Sequence, residues 1–119
     1  PLADTSSEVD SPISLRWDNA RQISCLLGIN GNTAECTATV IGVSETTKIT
    51  GTLTLYRQSG TSWVKVKSWP GSANSSVLRF SEEYSVTTGY NYKLIVTASV
   101  YANGSWENVE KESAVKYCG

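Results

Sequence analysis

Apolar and polar residues alternate along most of this chain with a period of two, the pattern of strands that bury one face and wet the other. Ile23, Cys25, Leu27 and Ile29 form one such run. Ala34, Cys36, Ala38 and Val40 form the next, interleaved with Thr33, Glu35, Thr37 and Thr39. Lys48–Gln58 carries Ile49, Leu53 and Leu55 inward, and Val64 and Val66 lie in the strand that follows. Val77–Phe80 has Leu78 and Phe80 as its inward pair, and Tyr92, Leu94, Val96, Ala98 and Val100 mark a long strand over Tyr92–Ala102. Ser105–Tyr117 closes the series. Ile13, Leu15 and Trp17 alternate in a short opening strand, with Trp17 expected in the core. No segment carries a helical period, so the chain is predicted to be all-β.

Turn residues set the expected pairings. Asn30-Gly31 and Asn103-Gly104 are strong two-residue hairpin signals. The first pairs Ile29 with Asn32 and brings Cys25 opposite Cys36. Ser59-Gly60 pairs Tyr56 with Trp63, Leu55 with Val64 and Leu53 with Val66, so core meets core. Gly42–Thr47 reads as a loop, and Pro70-Gly71 ends the strand before it. Asn103-Gly104 pairs Tyr101 with Trp106, Ala98 with Val109 and Tyr92 with Val115. The same register turns Lys111 and Ser113 inward, so a bulge between Glu110 and Ser113 is expected.

The stretch Val86-Thr87-Thr88-Gly89-Tyr90-Asn91-Tyr92 delivers a Tyr into the start of a long strand through a turn centred on Gly89. A tyrosine corner has this form: a Tyr near the start of the sixth strand bonds back to backbone a few residues upstream. Gly89 and Tyr92 therefore predict an immunoglobulin or fibronectin type III-like Greek-key β-sandwich of seven strands plus the short N-terminal one. Residues 1–12 are polar and aperiodic and read as a disordered tether, leaving 13–119 as the sandwich domain.

The 119 residues suit one domain, and a net charge of -1 lacks the basic face that nucleic-acid binding needs. No apolar run approaches the ~20 residues of a membrane span. Thr, Ser, Gly and Asn are abundant while His and Met are absent, a composition that suits an exported β-domain. Without His, Ser-His and Cys-His nucleophile activation is closed. Zinc is disfavoured by the missing His and Cys-x-x-Cys spacing, and calcium by scattered Asp residues. No cofactor, metal or catalytic residue is assigned.

Three cysteines leave two pairings open. Cys25 and Cys36 face each other across the first hairpin. Cys25–Cys118 instead ties the last strand to the first and restrains most of the unfolded chain, worth up to ~4–5 kcal/mol in the loop-entropy model. The second is favoured, with Cys36 a small buried hydrophobe.

The strings Thr33–Val40, Lys48–Leu55, Trp63–Trp69, Tyr84-Ser85-Val86, Gly89–Tyr92 and Glu107–Tyr117 together resemble a family of small uncharacterised secreted proteins of Gram-positive, largely gut-dwelling bacteria. The resemblance covers roughly Ile13–Tyr117. It implies an upstream signal peptide, an extracellular location and no assigned activity. A cysteine at the Cys36 position often stands alone there, whereas Cys25 and Cys118 depart from the pattern together, as bridge partners would.

The candidate binding residues are aromatic. The expected registers put Tyr56, Trp63 and Trp69 on the solvent face of one hairpin, and Tyr101 opposite Trp106 on that of another. A fibronectin-like order makes these hairpins neighbours in one sheet. Exposed rings on a rigid sheet stack on sugars or anchor a partner, while cross-strand aromatic pairing alone also explains them. Expected is a monomeric, secreted or cell-surface, non-catalytic binding or adhesion module whose partner is an extracellular protein or glycan. A carbohydrate-binding module using those rings and a structural spacer of a larger surface protein are the alternatives.

Overall fold

The computed structural model describes residues 17–119, and every element in it is a strand. In order these are β1 (Ala20–Asn30), β2 (Thr33–Gly42), β3 (Thr46–Ser59), β4 (Ser62–Ala73), β5 (Val77–Ser85), β6 (Tyr90–Ala102), β7 (Ser105–Glu112) and β8 (Lys116–Cys118). They build two antiparallel sheets, one ordered β1-β2-β5 and the other β4-β3-β6-β7, with β8 beside β6. The 1–12 tether and nearly all of the expected Ile13–Trp17 strand lie outside the described residues. Trp17 itself is 39% exposed rather than core.

Between the sheets lie the alternating residues foreseen above. Ile23, Cys25, Leu27, Ala34, Cys36, Ala38 and Val40 come from one sheet, and Ile49, Leu53, Leu55, Tyr92, Leu94, Val96 and Val100 from the other. The small Ala and Cys residues of β2 admit the larger side chains opposite, as dense packing requires.

The first hairpin departs from the expected register. Its loop is Gly31-Asn32, closed by Asn30 opposite Thr33, and the positive φ of 61° falls on Gly31 alone. A glycine with positive φ at the first central position is the type II′ arrangement. The resulting two-residue slip leaves every side chain on its face, but Cys25 now opposes Ala38, and Cys36 opposes Leu27.

The second hairpin slips the same way, then changes face. Its loop is Gly60-Thr61, so Gln58 faces Trp63 and Tyr56 faces Lys65. A bulge between Leu55 and Tyr56 then sets Leu55 opposite Lys67 and Leu53 opposite Trp69. One extra residue reverses inside and outside beyond it. Pro70-Gly71 does not end the strand, because β4 is an edge where a missing N–H costs no ladder bond.

The third hairpin pairs as expected through Asn103 and Gly104, both with positive φ, which a type I′ turn demands. Its strand breaks after Glu112, at the far end of the interval expected to hold a bulge. Ser113 occupies the break: its N–H donates to the Leu94 carbonyl (2.9 Å) and its Oγ accepts the Leu94 N–H (2.8 Å). Pairing resumes one residue out of step, Tyr92 with Lys116, so Val115 points outward and is 51% exposed.

Tyr92 is buried, and its hydroxyl both accepts the Thr87 N–H (3.0 Å) and donates to the Thr87 carbonyl (3.1 Å). The intervening turn needs the positive φ of Gly89 (94°), whose N–H donates to the Cys118 carbonyl. The expected Cys25–Cys118 bridge is absent, as all three cysteines are free thiols. Cys118 pairs beside Tyr90 and its thiol donates to the Gly31 carbonyl (3.6 Å), whereas Cys25 lies six residues before Gly31, along β1. Six residues of extended chain span about 20 Å, well beyond disulfide reach.

Candidate functional site

A groove of about 650 Å³ crosses the outer face of the five-stranded sheet. Its cause is a row of small residues on the inner face. Gly51 pairs with Gly71 on one side and Ala98 on the other, and Ala98 pairs with Val109. A Cβ on Gly51 would stand 2.8 Å from the Thr97 carbonyl oxygen and 3.3 Å from Leu78 Cδ2, and one on Gly71 would stand 2.8 Å from Phe80 Cε1. The sheet therefore sits close against Leu78 and Phe80 along this row, and its outer face is dished above it. Gly51, Gly71, Ala98 and Val109 all line the groove.

The floor follows from period-two alternation. Thr50 and Thr52 of β3 project outward beside Ser99 and Thr97 of β6, their cross-strand partners. Asn108 and Glu110 of β7 continue the same two rows, and Pro70 closes the β4 side. Ser99 Oγ donates to Asn108 Oδ1 at 2.6 Å, fixing that amide. Trp17 also lines the groove, and the residues that follow it are tied to β7. The Glu107 carboxylate accepts the N–H groups of Asp18 (2.7 Å), Asn19 (2.8 Å) and Ala20 (3.1 Å). Buried Asn19 donates its amide to the Val100 and Ser105 carbonyls, both at 2.9 Å. Partial burial pulls the Glu107 carboxyl upward, but the three N–H donors outweigh it and hold it below its ordinary value.

The five aromatic residues foreseen as a surface divide into three groups. Tyr101 and Trp106 stand together as predicted, ring centroids 5.0 Å apart, one row beyond Ser99 and Asn108 on the same face. Trp63 and Tyr56 lie at the opposite end of the sheet. There Lys93 Nζ sits 4.6 Å over the Trp63 ring and pairs with Glu112 at 3.1 Å, so the ring is capped by a cation. Trp69 is the correction: the β3–β4 bulge turns it inward, where it packs on the core and meets Tyr84 of the other sheet edge-on at 6.2 Å.

Thr50, Thr97, Ser99 and Asn108 were not singled out by the sequence reading, which placed Trp17 in the core and Glu110 beside an expected bulge. Their signal was present in the Thr50-x-Thr52 and Thr97-x-Ser99 spacing, yet only the pairing of β3 with β6 joins the two runs. Gln58, Gly60, Gly89, Tyr90, Asn91 and Tyr117 line a second, smaller depression of about 320 Å³.

Burial raises the thiols of Cys25, to about 11, and Cys36, to about 12, which leaves both protonated and unreactive at neutral pH. Among the described residues no three His, Cys, Asp or Glu side chains converge to hold a metal ion, and no helix is long and apolar enough to cross a membrane.

No protein-family model matches this chain, and no curated protein matches it. Among solved structures it is similar to Spo0M, a sporulation control protein from Bacillus subtilis, at 9% identity and a TM-score of 0.44. The alignment covers 82% of this chain and 49% of that one, so this chain spans about half of Spo0M's length.

Proposed function

We propose that this protein is a non-catalytic binding or adhesion module, exported to or beyond the cell surface, that engages its partner on the dished face of the five-stranded sheet. Two antiparallel sheets support it, and their orders, β1-β2-β5 and β4-β3-β6-β7 with the fourth strand beside the third, favour reading the fold as a fibronectin type III-like sandwich. Export is supported by the resemblance to secreted bacterial proteins and by the Thr- and Ser-rich composition.

The groove carries this reading. Its volume falls in the range of about 300–1,000 Å³ typical of ligand sites, and rigid strands hold its polar groups. A non-catalytic role rests on the side-chain inventory: the chain has no His, Glu107 is spent on backbone donors, and Glu110 has no carboxylate partner among the described groove residues.

Binding of fluorescently labelled protein to mucin-coated and bacterial surfaces tests the proposal. Wild type and a Thr37→Lys/Ser81→Lys variant, altered on the outer face of the other sheet, are expected to bind. A Thr52→Lys/Thr97→Lys variant is expected to lose binding. Absence of wild-type binding to every surface, or equal loss in both variants, contradicts it.

A further inference from the structure

We infer that the groove takes a neutral oligosaccharide lying across the strands; this rests on the binding reading above and names its ligand class. From Pro70 on β4 to Asn108 on β7 the floor spans four strands, about 14 Å at the usual strand spacing. Along the strands it is two rows deep, Thr50–Ser99 and Thr52–Thr97, about 7 Å apart. The result is a slot one sugar ring wide and a short oligosaccharide long.

Its chemistry fits a polyol. Hydroxyls of Thr50, Thr52 and Thr97 each donate and accept, as sugar hydroxyls do, while Ser99, whose proton goes to Asn108, accepts. Ser99 holds Asn108 by its Oδ1, which turns the Nδ2 protons toward a ligand. Glu110, the one ionised group among the described residues lining the groove, offers two acceptor oxygens to a pair of neighbouring hydroxyls. No cation among the described residues lines it, so phosphate, sulfate and uronate polymers find no described partner there, and the Glu110 carboxylate repels them. A protein partner is disfavoured because a binding hot spot needs desolvated aromatic or Arg anchors at its centre, where this groove has hydroxyls. Its rings stand at the margin instead. Trp17 in the groove and the Tyr101–Trp106 pair beyond it suit the apolar C–H faces of a sugar.

Titrations followed by tryptophan fluorescence and calorimetry, using cello-, xylo-, manno- and laminari-tetraose, test the inference. At least one is expected to saturate. Thr97→Val, which keeps the shape and removes the hydroxyl, is expected to weaken it about three- to tenfold, the loss of one hydrogen bond. Trp17→Ala is expected to weaken it about tenfold or more with circular dichroism unchanged, and Trp63→Ala to leave it unaltered. If no sugar saturates while surface binding survives periodate oxidation of the surface glycans, the ligand is protein: the glycan inference falls and the binding reading stands. Saturation lost equally in Trp63→Ala overturns the location. Failure in both the sugar titrations and the surface assay overturns both readings.

Discussion

Gly51→Ala is the sharpest perturbation of the dished sheet. The added methyl would sit 2.8 Å from the Thr97 carbonyl oxygen and 3.3 Å from both Ala98 Cβ and Leu78 Cδ2. The first of these is backbone inside a paired strand and cannot swing away, so relief requires moving β3 from β6 or pushing the sheets apart. Overpacking of this kind costs about 1–3 kcal/mol. Removing a glycine from the unfolded chain returns about 0.4–1 kcal/mol. The net loss spans about 0–2.6 kcal/mol with a midpoint of about 1.3 kcal/mol, and in a domain of this size each kcal/mol lowers the melting temperature by roughly 4 °C. Gly28→Ala is the control, because its methyl would meet Glu35 Oε1 at 3.5 Å, an ordinary contact, and it is expected to be neutral or slightly stabilising. Urea unfolding and scanning calorimetry on both variants decide the matter. Gly51→Ala as stable as wild type would refute the close approach of the sheets, and with it the origin of the groove.

Further outcomes are expected. Tyr92→Phe removes the partner of both the Thr87 N–H and carbonyl and should cost about 1–3 kcal/mol by urea midpoint; a loss below about 0.5 kcal/mol contradicts the anchoring role. Glu107 has a folded pKa below its ordinary value of 4.5, so its contribution is complete above that pH and is lost as pH falls through the folded value. Glu107→Gln should therefore flatten the acid limb of the stability–pH curve, and an unchanged limb counts against the clamp on Asp18–Ala20. The buried thiols of Cys25 and Cys36 should be silent toward a thiol reagent at pH 8 until urea unfolds the chain. Rapid reaction of either in the native protein contradicts their burial.

Alternation made most of the core legible, because inward and outward are decided by parity and a two-residue slip preserves parity. Hence Cys25, Cys36 and Ala38 were assigned to the correct face even though the Gly31-Asn32 turn shifted their partners. Parity fails where one residue is inserted. The bulge at Leu55/Tyr56 reversed Trp69, and the break around Ser113 reversed Val115. Neither carries a glycine or proline at the point of change; inward-facing Lys111 and Ser113 in the expected register signalled an irregularity near the second, and nothing local marked the first. The cysteine pairing failed for a related reason: a bridge depends on levels along the strands, which accumulate every slip. The groove was hidden because it is a property of two sheets at once. Gly51, Gly71 and Ala98 are unremarkable singly and become a row only when β4, β3, β6 and β7 are side by side.

Backbone amide shifts of the isotopically labelled protein, recorded during titration with the tetrasaccharide that saturates or with a mucin glycopeptide, test recognition on this face most directly. Perturbations are expected to gather at Thr50, Thr52, Thr97, Ser99 and Asn108, with the Trp17 and Trp106 indole signals moving in step. Shifts gathered instead on the outward residues of β1, β2 and β5, such as Leu26, Thr37 and Ser81, would contradict it.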